Sequence, residues 1–201
     1  MLKPIYHSFK LSILLLIFSC STFQFQHDQS GSKVEHIQNN PLIIGLNETI
    51  KFENIQENDI RQATDIVLRK ADVILAEILT VPDSLRTFEN TMLRLDDLYN
   101  EVSNVWSPLG LLSSVSNIEK IRDASDESSL IMQEYFIELI ANESLYQAVL
   151  AYSHTNEVQT LNKSRKRFLE SELKDFKHSG HGLSNDKRDK LKEIENKLAE
   201  L

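Results

Sequence analysis

The chain has 201 residues, 41% hydrophobic and 26% charged, a globular composition that excludes wholesale disorder. Five Gly and four Pro are too few to punctuate an all-β protein of this length, so helices are expected. The formal net charge is −8, or −10 (20 basic against 30 acidic residues) without Lys3 and Lys10; with only residues 163–167 locally positive, nucleic acid is excluded as a partner, because its binding needs many cations on one face.

At the N-terminus, Lys3, His7 and Lys10 precede residues 11–18 (LSILLLIF), an almost wholly apolar run. It is too short to span a bilayer, which takes about 20 apolar residues, and it fits a signal-peptide core. Ile17-Phe18-Ser19-Cys20 then resembles a bacterial lipobox, with Phe18 bulkier than the usual middle residue. On that reading residues 1–19 are a cleavable signal and Cys20 is the lipidation site. The protein would then be membrane-bound by a lipid anchor in the bacterial cell envelope, at the outer membrane or the periplasmic face. Cys20 is the only cysteine, which leaves neither a disulfide nor a free thiol. The alternatives are an ordinary signal peptide with a chance cysteine, or an uncleaved anchor. Residues 20–40 are polar, with His27 and His36 among Gln, Ser and Asn, and read as a flexible tether.

From Asn58 the apolar residues recur at helical spacing. Ile60, Ala63, Ile66, Val67, Ala71, Ile74, Leu75 and Ile78 form one stripe, bounded by Pro82, with Glu57 and Asp59 suited to the start of the helix dipole. Thr87 is placed to cap the next helix. Its seam of Phe88, Met92, Leu95, Tyr99, Val102 and Trp106 repeats at 4-3-4-3-4 spacing, and Pro108 predicts a kink or a restart at Ser107.

Asn117 is expected to cap a helix reaching about Ala141, with Ile121, Ala124, Ser128, Ile131, Tyr135 and Leu139 inward. Asn142 caps another, carrying Leu145, Tyr146, Val149 and Leu150. After a loop over residues 153–160, Asn162 opens a helix through Phe168, Leu169, Leu173 and Phe176, which Gly180 and Gly182 end. Ser184 caps the last helix, whose stripe is Leu191, Ile194, Leu198 and Leu201. No Gly or Asn follows it, and Glu200 stands where a cation is preferred, so the chain is expected to be cut in mid-element. The fold class is therefore all-α: an antiparallel array of about six helices over residues 41–201, after a cleavable signal and a flexible linker.

Chemistry is sparse. A common zinc peptidase places both imidazoles of His-Glu-x-x-His on one helix face beside the activating Glu, and the sequence contains no such motif. His178-Ser179-Gly180-His181 has three-residue spacing and no Glu, and two imidazoles do not complete a zinc site. The pair is expected to lie at a solvated helix C-terminus. Neither a nucleophile elbow, a dinucleotide-binding glycine motif nor a P-loop occurs. Carboxylate pairs such as Asp96-Asp97 and Glu170-Glu172 are ordinary features of a charged helical surface. The sequons at Asn47, Asn142 and Asn162 would matter only in a secreted eukaryotic protein.

Over residues 40–201 several segments occur in a telling order: Asn40-Pro41-Leu42, Thr87-Phe88-Glu89-Asn90-Thr91, Trp106-Ser107-Pro108 with Ser114-Val115, and Glu134-Tyr135. Asn142-Glu143-Ser144-Leu145-Tyr146, Leu161-Asn162, Asp175-Phe176, Ser179-Gly180 and Leu183 follow. Together they resemble the N-terminal region of the thimet oligopeptidase / oligopeptidase A family of zinc metallopeptidases. The resemblance implies a mostly helical, two-lobed protein whose channel admits short peptides, with this region supplying helices to one channel wall. It also implies that the zinc-binding His-Glu-x-x-His and a further Glu ligand lie downstream. No residue here is therefore assigned to catalysis, to metal or to peptide binding, and no cofactor belongs to this chain, although the full-length family holds zinc. The family's proline-containing stretch before the first long helix is replaced by residues 48–55. Two accounts follow: the segment of a lipid-anchored oligopeptidase whose partner is a catalytic lobe encoded downstream, or a stand-alone helical lipoprotein that holds peptides or a partner protein. Both expect the chain to cut nothing, unlike a third in which it is an independent enzyme.

Overall fold

A computed structural model of the protein describes residues 40–45 and 48–199. The signal segment, Cys20, most of the tether, Asn47, Glu200 and Leu201 lie outside the described residues. Among the described residues six α-helices occur and no β-strand.

Asn40, read from sequence as the last tether residue, belongs to the fold. It is buried, its side-chain amide donates to the Asp59 carbonyl (2.8 Å), and its Oδ1 accepts from the Leu42 amide (3.0 Å). These bonds seat Leu42, 1% exposed, in the core beside Asp59. The segment 48–55 makes one 3₁₀ turn (Phe52–Asn54) and buries Ile55.

Helix α1 (Glu57–Thr80) starts where the Asp59 carboxylate accepts from the Gln56 amide at 2.9 Å. Its buried face is Ile60, Ala63, Thr64, Val67, Ala71, Ile74 and Ile78, with Ile66 and Leu75 on its flanks. Thr64 tolerates burial because its hydroxyl donates to the Ile60 carbonyl one turn back (2.9 Å). Beyond Pro82, the buried Arg86 donates to the Ile78 carbonyl (3.0 Å) and to Asp83 (2.9 Å), satisfying an orphan acceptor at the helix end.

Thr87 caps the next element as expected. Its hydroxyl accepts from the Asn90 amide (3.2 Å), and the Asn90 side chain accepts from the Thr87 amide (2.8 Å). A π-helical turn (Phe88–Leu93) follows and passes directly into α2 (Arg94–Val115). The expected restart at Ser107 does not occur. Pro108 lies buried inside one continuous helix, where its ring withdraws a single ladder donor and fills core space instead. The expected seam is half right: Phe88, Met92, Leu95 and Val102 are buried, but so are Leu98, Val105, Leu109 and Leu112. Tyr99 and Trp106 are half-buried flanks. A helix held between two neighbours buries a wider arc than a two-helix seam does.

Helix α3 (Glu119–Ala141) begins one residue later than an Asn117 cap would set it. Ile118 takes the cap position, and the Ser116 hydroxyl accepts from the Ile118 amide (3.2 Å). Inward residues are Ile121, Ala124, Ser125, Ser128, Met132 and Leu139; Ile131, expected inward, is 42% exposed. Asn142 caps α4 (Glu143–Ser153), accepting from the Leu145 amide at 3.0 Å. Asn162 caps α5 (Lys163–His178), accepting from the Arg165 amide at 3.0 Å. Helix α6 (Asn185–Ala199) follows Ser184, whose carbonyl accepts from Lys187 (3.0 Å) and Arg188 (3.1 Å).

Ion pairs fix the directions of packing. Arg94 with Glu77, and Lys70 with Glu101, set α2 antiparallel to α1; Arg61 with Glu127, and farther along the contact of Asp72 with Tyr135, set α3 parallel to α1. Helices α1, α2 and α3 all pack against one another, α4 lies on α1 and the π turn, α5 packs on α4 and α3, and α6 packs chiefly on α3.

Candidate functional site

A cleft of about 790 Å³ opens where residues 42–45, with Glu48 and Ile50, meet the α1–α2 pair. Leu42, Ile43, Val67, Ile74 and Val105 supply apolar wall, and Lys70, Arg94, Asp97, Asn100 and Glu101 supply the rim. A shallower depression beside it exposes Val73 between Arg69, Lys70 and Arg94. The rim charges are already matched. Lys70 pairs with Glu101 at 3.2 Å, and Arg94 bridges Glu77 and Asp97, the latter at 2.8 Å. The hydrogen bond to Glu77, and then that to Asp97, push the Arg94 guanidinium still higher than usual. Among the described residues, no histidine or cysteine lines the cleft. With an apolar floor and a rim of both signs, it can hold an amphipathic ligand noncovalently, and it has no nucleophile–base pair.

The His178–His181 pair is split by the helix end. Gly180 (φ +90°) turns the chain: its amide donates to the Lys177 carbonyl (3.1 Å) and the His181 amide to the Phe176 carbonyl (3.1 Å), a Schellman closure. His178 stays exposed, as expected. His181, expected to be solvated, is buried in the position where this motif makes its apolar contact. Its ring stacks on Tyr146 (4.5 Å between centroids) and meets Phe176 edge-on (5.4 Å). Nε2 donates to the Ile140 carbonyl at 2.7 Å, and Nδ1 lies 3.2 Å from the Glu143 carboxylate, which Arg188 also engages. The imidazole is thus a structural clamp joining α3, α4 and the α5–α6 turn. Only tertiary packing reveals that role; its sole local signal is its place directly after Gly180.

Two further polar groups sit at helix contacts. Tyr99 of α2 donates to Glu172 of α5 at 2.7 Å, beside the Trp106–Phe136 stack (5.4 Å). Burial, opposed by the Tyr99 hydrogen bond and aided by Asp175 and Asp96, holds the Glu172 carboxyl above its ordinary range. At the Thr87 cap, the Phe88 amide donates to Glu157 (3.0 Å), while Arg165 lies 4.2 Å from the Phe88 ring centroid and 3.1 Å from Glu89. Burial first, and then Glu157, push the adjacent Tyr152 hydroxyl up to about 12.

Among the described residues, no three His, Cys, Asp or Glu side chains converge as a metal-ligand set. Asn142 and Asn162 both use their side-chain carbonyls as helix caps.

A family model of the neurolysin/thimet oligopeptidase N-terminal domain matches residues 69–188. The chain is 30% identical to Oligopeptidase A of Haemophilus influenzae over 162 residues, covering 81% of this chain and 23% of that one. To Thimet-like oligopeptidase of Dictyostelium discoideum it is 32% identical over 143 residues, 70% of this chain and 21% of the relative. Oligopeptidase A of Escherichia coli is 30% identical over 115 residues, 57% of this chain and 17% of the relative. The matched region thus spans about a quarter of these relatives, or less.

Proposed function

The chain belongs to the neurolysin/thimet oligopeptidase family through its N-terminal domain, and on that premise we propose that it forms the helical, channel-wall part of an oligopeptidase A-like zinc metalloendopeptidase acting on short peptides. The observation that carries this reading is the pairing of family membership with a sequence that contains no His-Glu-x-x-His. Hydrolysis by zinc-bound water needs clustered imidazole and carboxylate ligands. This chain's contribution is then a rigid wall, built by α1–α3 and clamped by His181, rather than a reacting group. The purified 201-residue chain, incubated with zinc and a fluorogenic short peptide, is expected to give no turnover above buffer; chelator-sensitive turnover by it would overturn the proposal.

A second reading, a stand-alone protein that holds peptides or a partner, is favoured by the open cleft between α1, α2 and residues 42–45. The two readings separate by calorimetry. Peptide binding by the chain alone, lost on filling the cleft from its exposed edge in Ser103→Trp but with folding retained, would favour the second.

The export proposal attaches to the same protein. Cys20 carries a lipid after removal of residues 1–19, and the anchor holds the domain at the bacterial envelope through the polar tether. Cys20→Ala is expected to move the protein from the membrane fraction to the soluble fraction, and unchanged partition would refute the anchor.

A further inference from the structure

One end of the helical array differs from the other in its exposed side chains. The ion pairs Glu77–Arg94 and Lys70–Glu101 run α2 back along α1 residue for residue, which brings Val115 level with the start of α1. The α2–α3 connection therefore lies at that end, and so does the turn Phe52–Asn54. Apolar side chains stand in solvent here: Leu111 is 49%, Val115 66%, Ile118 55% and Phe52 40% exposed. The tip also lacks charge. No residue from Val102 to Ile118 is acidic or basic, in a chain that is 26% charged. At the opposite end the exposed Leu85 lies between the ion-paired Asp83 and Arg86, as is ordinary for a lone surface leucine.

What the tip meets follows from where the chain enters the domain. Asn40 bonds to the carbonyl of Asp59, the third residue of α1, and so enters at this same end. Residues 20–39 separate it from Cys20 by no more than about 70 Å, even at full extension. With Cys20 lipidated as proposed above, that length holds a bilayer near this end at an effective concentration on the order of millimolar. A few apolar side chains bind a bilayer too weakly to recruit a free protein, but they suffice once an anchor has brought it there. A tip without charges also avoids the cost of desolvating them. We infer that Leu111, Val115 and Ile118, with Phe52 at the same end, form a membrane-contacting surface that enters the headgroup region of the bilayer carrying the anchor. At its rim Lys51 and Lys120 alternate with Glu53 and Glu119, so the lipid is zwitterionic rather than anionic. The inference rests on the proposed anchor and adds how the domain stands on its membrane.

The test uses the full chain with its lipid on Cys20, reconstituted in phosphatidylcholine vesicles. A nitrobenzoxadiazole fluorophore is attached through Val115→Cys or, at the opposite end, through Leu85→Cys, and is quenched by lipid that carries a doxyl group near its headgroup. The probe at position 115 is expected to be quenched at least about twofold more than the probe at position 85. Adding Leu111→Ser/Ile118→Ser should remove that difference without changing the melting temperature, because both side chains are exposed. Equal quenching at the two positions, or stronger quenching at position 85, would overturn the inference. So would a blue shift at position 115 already present without vesicles, since a second copy or another part of the protein would then cover the tip. A chain whose Cys20 carries no lipid after expression with its signal segment would instead refute the anchor, and the inference would fall with it.

Discussion

The α1–α3 trio and helix α6 carry apolar stripes of similar regularity, but the trio closes over its own and α6 leaves half of its stripe open. In the trio Ile60, Ala63, Leu95, Leu98, Val102, Ala124 and Met132 are all 0% exposed, and each helix is covered by both of the others. Helix α6 has one principal neighbour and is held mainly by partly exposed ion pairs, each worth about 0–1 kcal/mol. Amphipathic periodicity therefore does not rank helices by stability; the number of neighbours that cover the stripe does. Unfolding of the trio should be the global event, and opening of α6 a local one.

The sharpest test of that contrast is truncation of one leucine in each region. Leu98→Ala is expected to cost about 3 kcal/mol in urea denaturation, because it empties fully buried space between helices. Leu198→Ala, on a side chain 64% exposed, should stay within about 0.5 kcal/mol. Equal costs would mean that α6 is as much core as the trio.

A pair of glycines sharpens the comparison at smaller scale and with opposite signs. Gly110 lies inside α2 with open space where a Cβ would go, so Gly110→Ala should stabilise by about 0.5–1 kcal/mol through helix propensity. Gly180 holds φ +90° at the entrance to α6, and an added Cβ would meet Leu191 at 3.0 Å and Leu183 at 3.1 Å. Gly180→Ala should therefore destabilise by about 1–2 kcal/mol, with faster exchange concentrated in α6. Thermal melts of both variants check the signs.

The smallest effect is expected where the trio meets α5, at Tyr99–Glu172. The folded Glu172 carboxyl binds its proton more tightly than the unfolded one, since burial raises it. Its contribution is present below the ordinary carboxylate value and is lost as pH rises through the raised value. Glu172→Gln keeps an acceptor for Tyr99 and removes the titration. The variant should gain stability over the native chain at neutral pH, and the gap should close on acidification toward the ordinary carboxylate range. A pH-independent gap in denaturation midpoints would contradict the assignment.

The local features were legible from the residues themselves. Thr87, Asn142, Asn162 and Gly180 act within three or four positions of their own helix ends, so their chemistry can be read without a partner in view. The helix boundaries and the all-α class followed from the same short-range spacing. Of the kink or restart expected at Ser107, the restart does not occur because Pro108 packs into the core; the Asn117 cap gave way by one residue to the Ser116–Ile118 turn, and Ile131 was turned out by what packs alongside.

Which member of an adjacent apolar pair faces the core, Leu98 or Tyr99 and Met132 or Ile131, depends on how many helices surround it and from which side. Likewise His181 reads as a polar residue after a helix-ending glycine until Tyr146, Phe176 and Glu143 close around it. By itself the amino-acid order determined where helices start and stop, because caps and turns are local hydrogen-bond chemistry. The tertiary structure alone decided the buried faces, the histidine clamp and the open side of α6, because burial is a property of neighbours distant in sequence.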